Sequence, residues 1–507
     1  MSAPGLLRLA VGKAAPRRSI PNLPPAAFRA AVLDAVADGA RIAALFGMPA
    51  AGDGLEVLAV LACPRGGDFG LVATGVADAY PALTPDCPQA HWFEREIAEQ
   101  WGVRPSGHPW LKPIRFHPGY RPGRDAWDRP AGQAILPCVT DFFRVEGEEV
   151  HEVAVGPVHA GVIEPGHFRF QCHGEQVLHL EIALGYQHRG VERALRGGPS
   201  ARTMPYVETL AGDTTIGHAT AYCQAVEALA GGAVPPRGEA VRGVALELER
   251  LANHTGDLGA LAGDVGYLPT AAFCGRLRGD FLNLSALLCG SRFGRGLVRP
   301  GGAAFDLDGA RAGELARRLQ TALREVGQAV SLLWESPSVL ARFEETGAVA
   351  REVAESLGLV GVAARASGLA RDARTEFPSG VYRRARPPVA AGESGDVYAR
   401  AWVRWLEIQR SVEFILAQAE ALPGGPVRGP VPALAPERLA VSLVEGWRGE
   451  ICHVALTDAA GRLAHYKVVD PSFHNWMGLA VALRGQEISD FPLCNKSFNL
   501  SYCGHDL

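Results

Sequence analysis

The apolar residues of the second half of the chain recur at helical spacing. Within 310–333 they are separated by steps of three or four residues, which is the stripe of a buried helical face: Leu315, Leu319, Leu323, Val326, Val330 and Leu333. Comparable patterns predict further helices over 219–230, 240–261 and 397–422. This spacing predicts a bundle of packed helices.

Short apolar runs elsewhere predict strands. Residues 55–62 and 69–76 follow a helix-like run over 26–46, which together indicate a small α/β domain. Runs over 439–456 and 463–469 predict a small sheet near the end of the chain, after a Pro/Gly-rich surface crossing over 422–436.

The segment 104–138 contains seven prolines and four glycines, which disfavour helix and inner strand, so we expect an extended connector. The pattern predicts an α+β protein with a small α/β domain over 1–103, a connector over 104–150, and a mainly helical domain over 151–507.

Composition narrows the class of protein. The 507 residues are 48% hydrophobic and 21% charged, as expected for a globular chain of two or three domains. We find no apolar run of ~18 residues and no secretion-signal core, so we expect a cytosolic protein or one peripheral to a membrane. The net charge of −4, with no basic block, argues against nucleic acid as the principal partner.

The ten cysteines are widely spaced, with no two closer than nine positions. This spacing excludes the local Cys-x-x-Cys motifs of zinc sites, iron-sulfur clusters and dithiol redox centres. We expect most of these cysteines to be small buried hydrophobes.

The richest candidate chemistry lies in 156–192, GPVHAGVIEPGHFRFQCHGEQVLHLEIALGYQHRGVE. Its apolar residues form two short runs broken at Gly174, which predicts a hairpin. Imidazoles and carboxylates crowd in or just before it: His151, His159, His167, His173, His179, His188, Glu164, Glu175, Glu181 and Glu192. Because imidazole titrates near neutrality, the stretch is suited to proton exchange, although histidines satisfied by hydrogen bonds on a half-buried hairpin explain it equally well.

Several motifs within and beyond this stretch carry a family resemblance. GPVHAGVIEPGHFRF and LGYQHRGVE are followed, in order, by LELERLANHTGDLGALAGDVG, VAARASGLARDAR and GDVYARAWVRWLEIQRS. These blocks resemble the D-type subunit of complex I and the large subunit of energy-converting, formate hydrogenlyase-type NiFe hydrogenases. The segment HWFEREIAEQWGVRPSGHPWL, over 91–111, resembles the C-type subunit of complex I. The chain therefore resembles a natural fusion of C-like and D-like modules, with a connector that would lie across a neighbouring subunit.

The same resemblance implies that the nickel ligands are missing. Nickel-bearing members supply two Cys-x-x-Cys pairs, and alignment places Ala211, Thr214, Ser501 and Gly504 at those four positions. A nickel-iron centre needs four soft thiolates, so we expect neither nickel nor hydrogen chemistry. Cys223 and Cys503 are poor substitutes, since we expect Cys503 to point well away from Ser501.

What the resemblance retains is an acid-base apparatus around an emptied cavity. It implies that His159 and His167 lie on the hairpin and point into that cavity, and that Tyr206 lies near the headgroup of a quinone, although an ordinary core tyrosine is an alternative. Glu164, Arg365, Asp372 and Arg374 would complete the site, but packed ion pairs also explain the last three.

Two functions follow from the resemblance. In the first, the chain is a catalytic-type subunit that reduces a quinone or another small acceptor in an ion-translocating complex linked to NADH-quinone oxidoreductases. In the second, it is a non-catalytic coupling or structural subunit of such a complex. Either role implies no cofactor in this chain, iron-sulfur clusters in a small partner subunit, antiporter-like membrane partners, and a peripheral position on the cytoplasmic face of the inner membrane.

Overall fold

The computed structural model describes residues 5–50, 54–130, 132–159 and 163–507. Its strands and helices form an α+β architecture, with a strand-rich region first and a mainly helical region with small sheets after it. Within the described ranges, no helix is long and apolar enough to cross a bilayer.

The N-terminal region is a sheet covered by helices. Its elements are β1 (Leu7–Ala10), β2 (Ala14–Pro16), α1 (Pro25–Ala37), β3 (Arg41–Pro49), β4 (Leu55–Cys63), β5 (Asp68–Val76), β6 (Ala79–Pro81), α2 (His91–Trp101) and β7 (Arg104–Ser106). Strands β1, β5, β4 and β3 form one antiparallel sheet in that order. The predicted strands β4 and β5 are confirmed.

The helix predicted over 26–46 is wrong in its second half. Helix α1 ends at Ala37, Gly39 adopts φ +92°, and the chain turns into β3. Strand β3 is buried along nearly its whole length, so its side chains form a continuous apolar run. Such a run does not distinguish a buried strand from a buried helix by periodicity.

The connector is irregular after β7, as its prolines and glycines predicted. Part of it lies against this chain: Ile114 and Arg115 are each 1% exposed, and Arg115 Nε donates to the carbonyl of His505 at 2.8 Å. The stretch around Arg115 is therefore packed inside this chain and is not an exposed surface for a neighbouring subunit.

The connector leads into a three-stranded antiparallel sheet in the order β10-β9-β8. Its strands are β8 (Val150–Val155), β9 (His167–His173) and β10 (Gln176–Ala183). The predicted hairpin with its break at Gly174 is confirmed by the pairing of β9 with β10. Strand β8 was not predicted, because it is a polar edge strand with little apolar alternation.

The helical region begins with short helices and continues into long ones. These are α3 (Val191–Ala194), α4 (Thr203–Val207), α5 (Thr215–Ala230), α6 (Pro236–Asp264), α7 (Leu268–Cys289), α8 (Gly309–Trp334), α9 (Pro337–Phe343), α10 (Arg351–Ser356), α11 (Gly361–Ala366), α12 (Ala373–Glu376) and α13 (Val397–Glu420), with the short ladder β11 (Val298–Arg299) and β12 (Gly302–Ala303) between α7 and α8. The predicted helices correspond to α5, α6, α8 and α13. Helix α7 was missed, although six of its seven buried residues are spaced by four, three, four, three and four: Thr270, Cys274, Leu277, Phe281, Leu284 and Leu288.

The chain closes with a second sheet and a helical tail. Strands β13 (Arg438–Glu445), β14 (Glu450–Thr457) and β15 (Leu463–Val469) precede α14 (Pro471–Ala482), α15 (Phe491–Phe498) and α16 (Tyr502–Asp506). The sheet order is β15-β14-β13-β2, so the N-terminal strand β2 pairs with β13 of the C-terminal region. The two ends of the sequence therefore share one sheet.

Candidate functional site

The fold brings together the two segments that align with the nickel-binding motifs. Ala211 and Thr214 precede α5, while Ser501 is the N-cap of α16 and Gly504 lies in its first turn. Ala211 and Thr214 are each 1% exposed, and Ser501 is 2% exposed. Arg448 joins the two segments, because it donates both to the Asp213 carboxylate and to the carbonyl of Asn499.

The position of the fourth thiolate is closed by Asp470. A Cβ built on Gly504 would lie 2.6 Å from Cγ of Asp470 and 2.7 and 2.9 Å from its two carboxylate oxygens. Contacts under 3.0 Å are repulsive, so a cysteine side chain does not fit here without displacing the carboxylate. The site aligned with the nickel centre is therefore packed at this position, and the expected emptied cavity is not found there.

Asp470 is itself held in a buried hydrogen-bonded chain. Its carboxylate accepts from His218 Nε2 at 3.1 Å and from the backbone N–H of Ser472 at 2.8 Å. His218 Nδ1 lies 3.1 Å from His453 Nε2, and His453 Nδ1 lies 2.8 Å from the hydroxyl of Tyr466. Burial raises the pKa of Asp470, but the hydrogen bond and charge of His218 and the charge of Arg448 outweigh burial and hold it below its usual value. We infer that Asp470 is a carboxylate with fixed partners.

The hydroxyl of Thr214 is also committed to protein groups. It accepts from Trp447 Nε1 at 3.1 Å and from Arg448 at 3.3 Å, and it donates to Asp213 at 3.0 Å. Arg448 forms a two-pronged pair with Asp213 at 2.7 and 2.8 Å. An ion pair and an indole therefore surround the position that aligns with the second thiolate.

The expectation that Cys503 points away from Ser501 is wrong. Cys503 Sγ lies 3.5 Å from Ser501 Oγ, because Ser501 has the extended backbone of an N-cap and the helical side-chain spacing does not apply to it. Burial and the neighbouring Glu164 raise the pKa of the Cys503 thiol to about 12, so it is not a thiolate at neutral pH. Cys223 is fully buried within α5.

In the described part of the chain, no three His, Cys, Asp or Glu side chains are arranged to hold a metal ion. The polar atoms around Gly504 are carboxylate and hydroxyl oxygens, which are hard ligands, whereas a nickel-iron centre requires soft thiolates. The residues present do not fit such a centre.

His159 and Glu164 lie at the C-terminal tail. The Glu164 carboxylate accepts from the backbone N–H groups of Tyr502 and Cys503 at 3.2 and 3.4 Å, which places a negative charge at the start of α16. The His159 ring lies 6.2 Å from that of Tyr502 and 5.7 Å from that of Phe168. His159 precedes β9 and so is not on the hairpin itself, which corrects the prediction.

His167 occupies a different place. It begins β9, its Nδ1 lies 3.3 Å from the carbonyl of Gly156, and its ring lies 5.3 Å from that of Phe142. The residue before it, Gly166, lies close to Tyr502 of the tail, since a Cβ built on Gly166 would come 2.6 Å from that ring. Burial lowers the pKa of both His159 and His167, so both imidazoles are mainly neutral at pH 7.

Tyr206 lies on α4 with 36% of its surface exposed, which excludes the alternative of a core tyrosine. Arg189 links the segment that follows it to the tail, donating to the carbonyl of Thr209 at 2.8 Å and to that of Cys503 at 3.4 Å. The segment just after Tyr206 is therefore joined to the tail through Arg189.

Arg365 and Asp372 belong to a second site, a buried charge network between α6, α11, α12, α13 and β13. Arg365 donates to Glu407 and to Glu445, each at 2.7 Å. Arg374 pairs with Asp372 at 2.6 Å and with Glu247 at 3.1 Å.

The remaining members of the network come from α6. Arg250 pairs with Glu247 at 3.0 Å and with Glu407 at 3.3 Å, while His254 Nε2 lies 2.6 Å from Glu407. Sequence reasoning missed Glu247, Arg250 and His254, although their spacing of three and four residues places them on one face of α6.

The carboxyl groups of the network differ in their proton affinity. Burial raises the pKa of each of these carboxyl groups. For Glu247, the charges of Arg250 and Arg374 outweigh burial and lower the pKa to about 2. For Glu407, Arg365 and Arg250 likewise hold the pKa well below its usual value. Glu445 is the exception, because burial and the charge of Asp372 exceed the effect of Arg365 and raise its pKa to about 7.

Comparison with known proteins gives two family matches in one chain. Residues 40–130 match the 30 kDa subunit of respiratory-chain NADH dehydrogenase, and residues 264–438 match its 49 kDa subunit.

Three relatives show how far the similarity extends. Formate hydrogenlyase subunit 5 of Escherichia coli is 30% identical over 437 residues, 83% of this chain and 76% of that protein. The carbon monoxide-induced hydrogenase of Rhodospirillum rubrum is 32% identical over 354 residues, 69% of this chain and 97% of that protein. NADH-quinone oxidoreductase subunit 4 of Thermus thermophilus is 32% identical over 370 residues, 68% of this chain and 90% of that protein.

Proposed function

Because the chain belongs to the family of complex I 49 kDa (D) subunits and related hydrogenase large subunits, fused to a 30 kDa (C) module, we propose that it is the large peripheral subunit of a nickel-free oxidoreductase complex. It neither evolves nor oxidises hydrogen. The complex is membrane-associated and translocates ions.

The packing of Gly504 against Asp470 carries this proposal. Ala211 offers no electron pair, the hydroxyl of Thr214 is committed to Trp447, Arg448 and Asp213, and Gly504 has no room for a thiol. The four thiolate positions are therefore taken by the hydroxyl groups of Thr214 and Ser501 and by two residues, Ala211 and Gly504, that have no metal-binding atom in a side chain. Protein side chains, those of Asp470, Trp447 and Arg448, occupy the space around these positions, which supports a protein that has evolved to work without nickel.

Elemental analysis of the complex, purified anaerobically in mild detergent from cells grown with added nickel, tests the proposal. We expect less than a tenth of a nickel per chain and no hydrogen-dependent dye reduction. Iron is expected from the clusters of the partner subunit. One nickel per chain together with hydrogen-dependent dye reduction would overturn the proposal.

Reduction of a quinone or another small acceptor beside the tail is the reaction we propose for the complex. The exposed apolar surface beside His159 favours it, since Val158 is 79% exposed and Ile163 is 41% exposed. A neutral imidazole and the phenol of Tyr206 are groups that can donate hydrogen bonds to the carbonyl oxygens of an acceptor. Electrons would come from a cluster in a small iron-sulfur partner, because this chain supplies no cluster ligands in a local motif.

Substitution of His159 separates this reaction from the alternative of a non-catalytic coupling subunit. We expect His159→Ala to lower quinone-dependent turnover of the complex by roughly 100-fold, the scale of a positioned proton donor. His173→Ala is the matched control, because His173 is exposed on β9 and pairs only with the exposed Glu149. Equal turnover of both variants and wild type, across a panel of quinones, would favour the coupling role.

The proposed partners are a small iron-sulfur subunit and antiporter-like membrane subunits, which hold this chain at the cytoplasmic face of the inner membrane. Fusion of the two modules fixes their stoichiometry and raises their effective concentration during assembly. Mass spectrometry of the chains that co-purify in mild detergent tests the assignment. Full quinone reductase activity of the isolated chain would contradict it.

A further inference from the structure

A cleft of 440 Å³ lies beside the buried charge network. Helix α5 and the start of α6 form one wall, and β13 forms another, with Lys13 and Arg383 at the exposed mouth. Its volume falls within the range of ligand and solvent pockets and is large enough to admit water.

Glu445 connects this cleft to the network. It lines the cleft, yet only 3% of the residue is exposed. One carboxylate oxygen accepts from Arg365 at 2.7 Å, and the other accepts from the backbone N–H of Ala373 at 2.9 Å. The other three acids of the network, Glu247, Asp372 and Glu407, do not line the cleft.

The charges of the network are unequal in number. Three arginines, Arg250, Arg365 and Arg374, face four carboxyl groups, Glu247, Asp372, Glu407 and Glu445. Burial lowers the pKa of His254, so it adds no compensating positive charge at neutral pH. The buried cluster is balanced only when one carboxyl group is protonated.

We propose that Glu445 is the proton-exchange site of this protein, taking a proton from water in the cleft and returning it there. In the step, an O–H bond forms at a Glu445 oxygen as a hydronium loses its proton, and no electron moves. The charge of the buried network changes from −1 to 0. The proposal goes beyond the nickel-free role and does not depend on it.

The lining of the cleft supports this exchange. Ser442 donates to Gln224 at 2.9 Å, and Gln224 donates to Ser379 at 3.0 Å, which lines the wall with hydrogen-bonding groups near Glu445. Thr220 is 5% exposed, and its hydroxyl has no partner among the described residues. A hydroxyl in this position is suited to a bound water. The pKa of Glu445, raised to about 7 by burial, agrees with exchange near neutral pH.

Infrared titration of the full chain tests the proposal. Burial also raises the pKa of Glu249, to about 8, so the test uses the difference between the spectra of wild type and Glu445→Gln. We expect this difference spectrum to contain a protonated-carboxyl band that disappears as the pH rises, with a midpoint near 7. In D₂O the band should shift to lower frequency within minutes, as an accessible O–H becomes O–D. Glu239→Gln is the matched control, because Glu239 lines the same cleft but pairs with Arg384 outside the network.

A difference spectrum of wild type and Glu445→Gln that lacks this band, or a difference band that does not shift in D₂O over hours, would overturn the proposal. If that variant does not fold, carbodiimide coupling of an amine to the wild-type chain gives the answer, because only protonated carboxyl groups activate efficiently. Peptide mapping should then show that coupling at Glu445, relative to coupling at Glu239 in the same sample, is greater at pH 6 than at pH 8. No coupling at Glu445 at pH 6 would overturn the proposal.

Discussion

Restoring a cysteine at position 504 should destabilise the protein, because the structure has closed that position. A Cβ there would lie 2.6 to 2.9 Å from three atoms of the Asp470 side chain, which is fully buried. Overpacking of this kind costs about 1–3 kcal/mol. Replacing glycine in a helix recovers about 0.5–1 kcal/mol, so we expect a net loss of about 1 kcal/mol for Gly504→Ala and Gly504→Cys, the middle of a range of about 0–2.5 kcal/mol.

The loss of stability would persist if Asp470 moves instead. Its carboxylate caps α14 through the N–H of Ser472 and binds His218, and each of these hydrogen bonds contributes roughly 1 kcal/mol. If the Asp470 side chain moves away from position 504, the steric repulsion is relieved but hydrogen bonds of comparable free energy are lost. Both routes predict the same sign.

Thermal and urea unfolding of the full chain measure the effect. Gly212→Ala is the matched control, since a Cβ on Gly212 meets no atom within 4 Å and that residue lies in the facing segment. We expect the control to unfold with the wild type and both position-504 variants to unfold earlier. If Gly504→Cys were as stable as Gly212→Ala, the conclusion that Asp470 closes the site would be refuted.

Three further outcomes are expected. The buried Glu96 pairs with Lys467 at 2.6 Å and with Arg115. Burial raises the pKa of Glu96, but the two cations outweigh burial and lower that pKa to about 2. The contribution of Glu96 to the free energy of unfolding is therefore complete above about pH 4.5 and disappears as the pH falls towards 2. Glu96→Gln should cost about 3–5 kcal/mol at pH 7 and flatten that acid limb in unfolding curves. The raised pKa of Glu445 means that wild-type stability falls as pH rises from about 4.5 through 7, and Glu445→Gln should lessen that fall, measured by urea unfolding at pH 5 and pH 8. Tyr206→Phe keeps the exposed ring but removes its hydroxyl, so quinone-dependent turnover should fall roughly tenfold or more while the melting temperature stays unchanged.

The local pattern of the sequence determined much of the secondary structure. The stripe from Leu315 to Leu333 specified α8, and the break at Gly174 specified the hairpin, because side-chain periodicity reports which face of an element is buried. The order of the motifs identified the family. The loss of soft ligands at Ala211, Thr214, Ser501 and Gly504 also followed from the sequence alone, since none of these residues carries a thiolate.

Only the tertiary structure decided what replaced the metal site. Asp470 closes the space at Gly504 from another element, and Ser501 lies beside Cys503 because of the cap geometry. The exposure of Tyr206 and the contact of Glu164 with the tail likewise depended on how the elements pack.

The charge network shows the physical reason most directly. Helical spacing places Glu247, Arg250 and His254 on one face of α6, but it does not specify which charges they meet. Glu407 comes from α13 and Glu445 from β13, and the surplus carboxyl group appears only when these long-range partners are counted together. Local sequence fixes the direction of a side chain, whereas burial, ion pairing and proton affinity are set by groups that folding brings from distant parts of the chain.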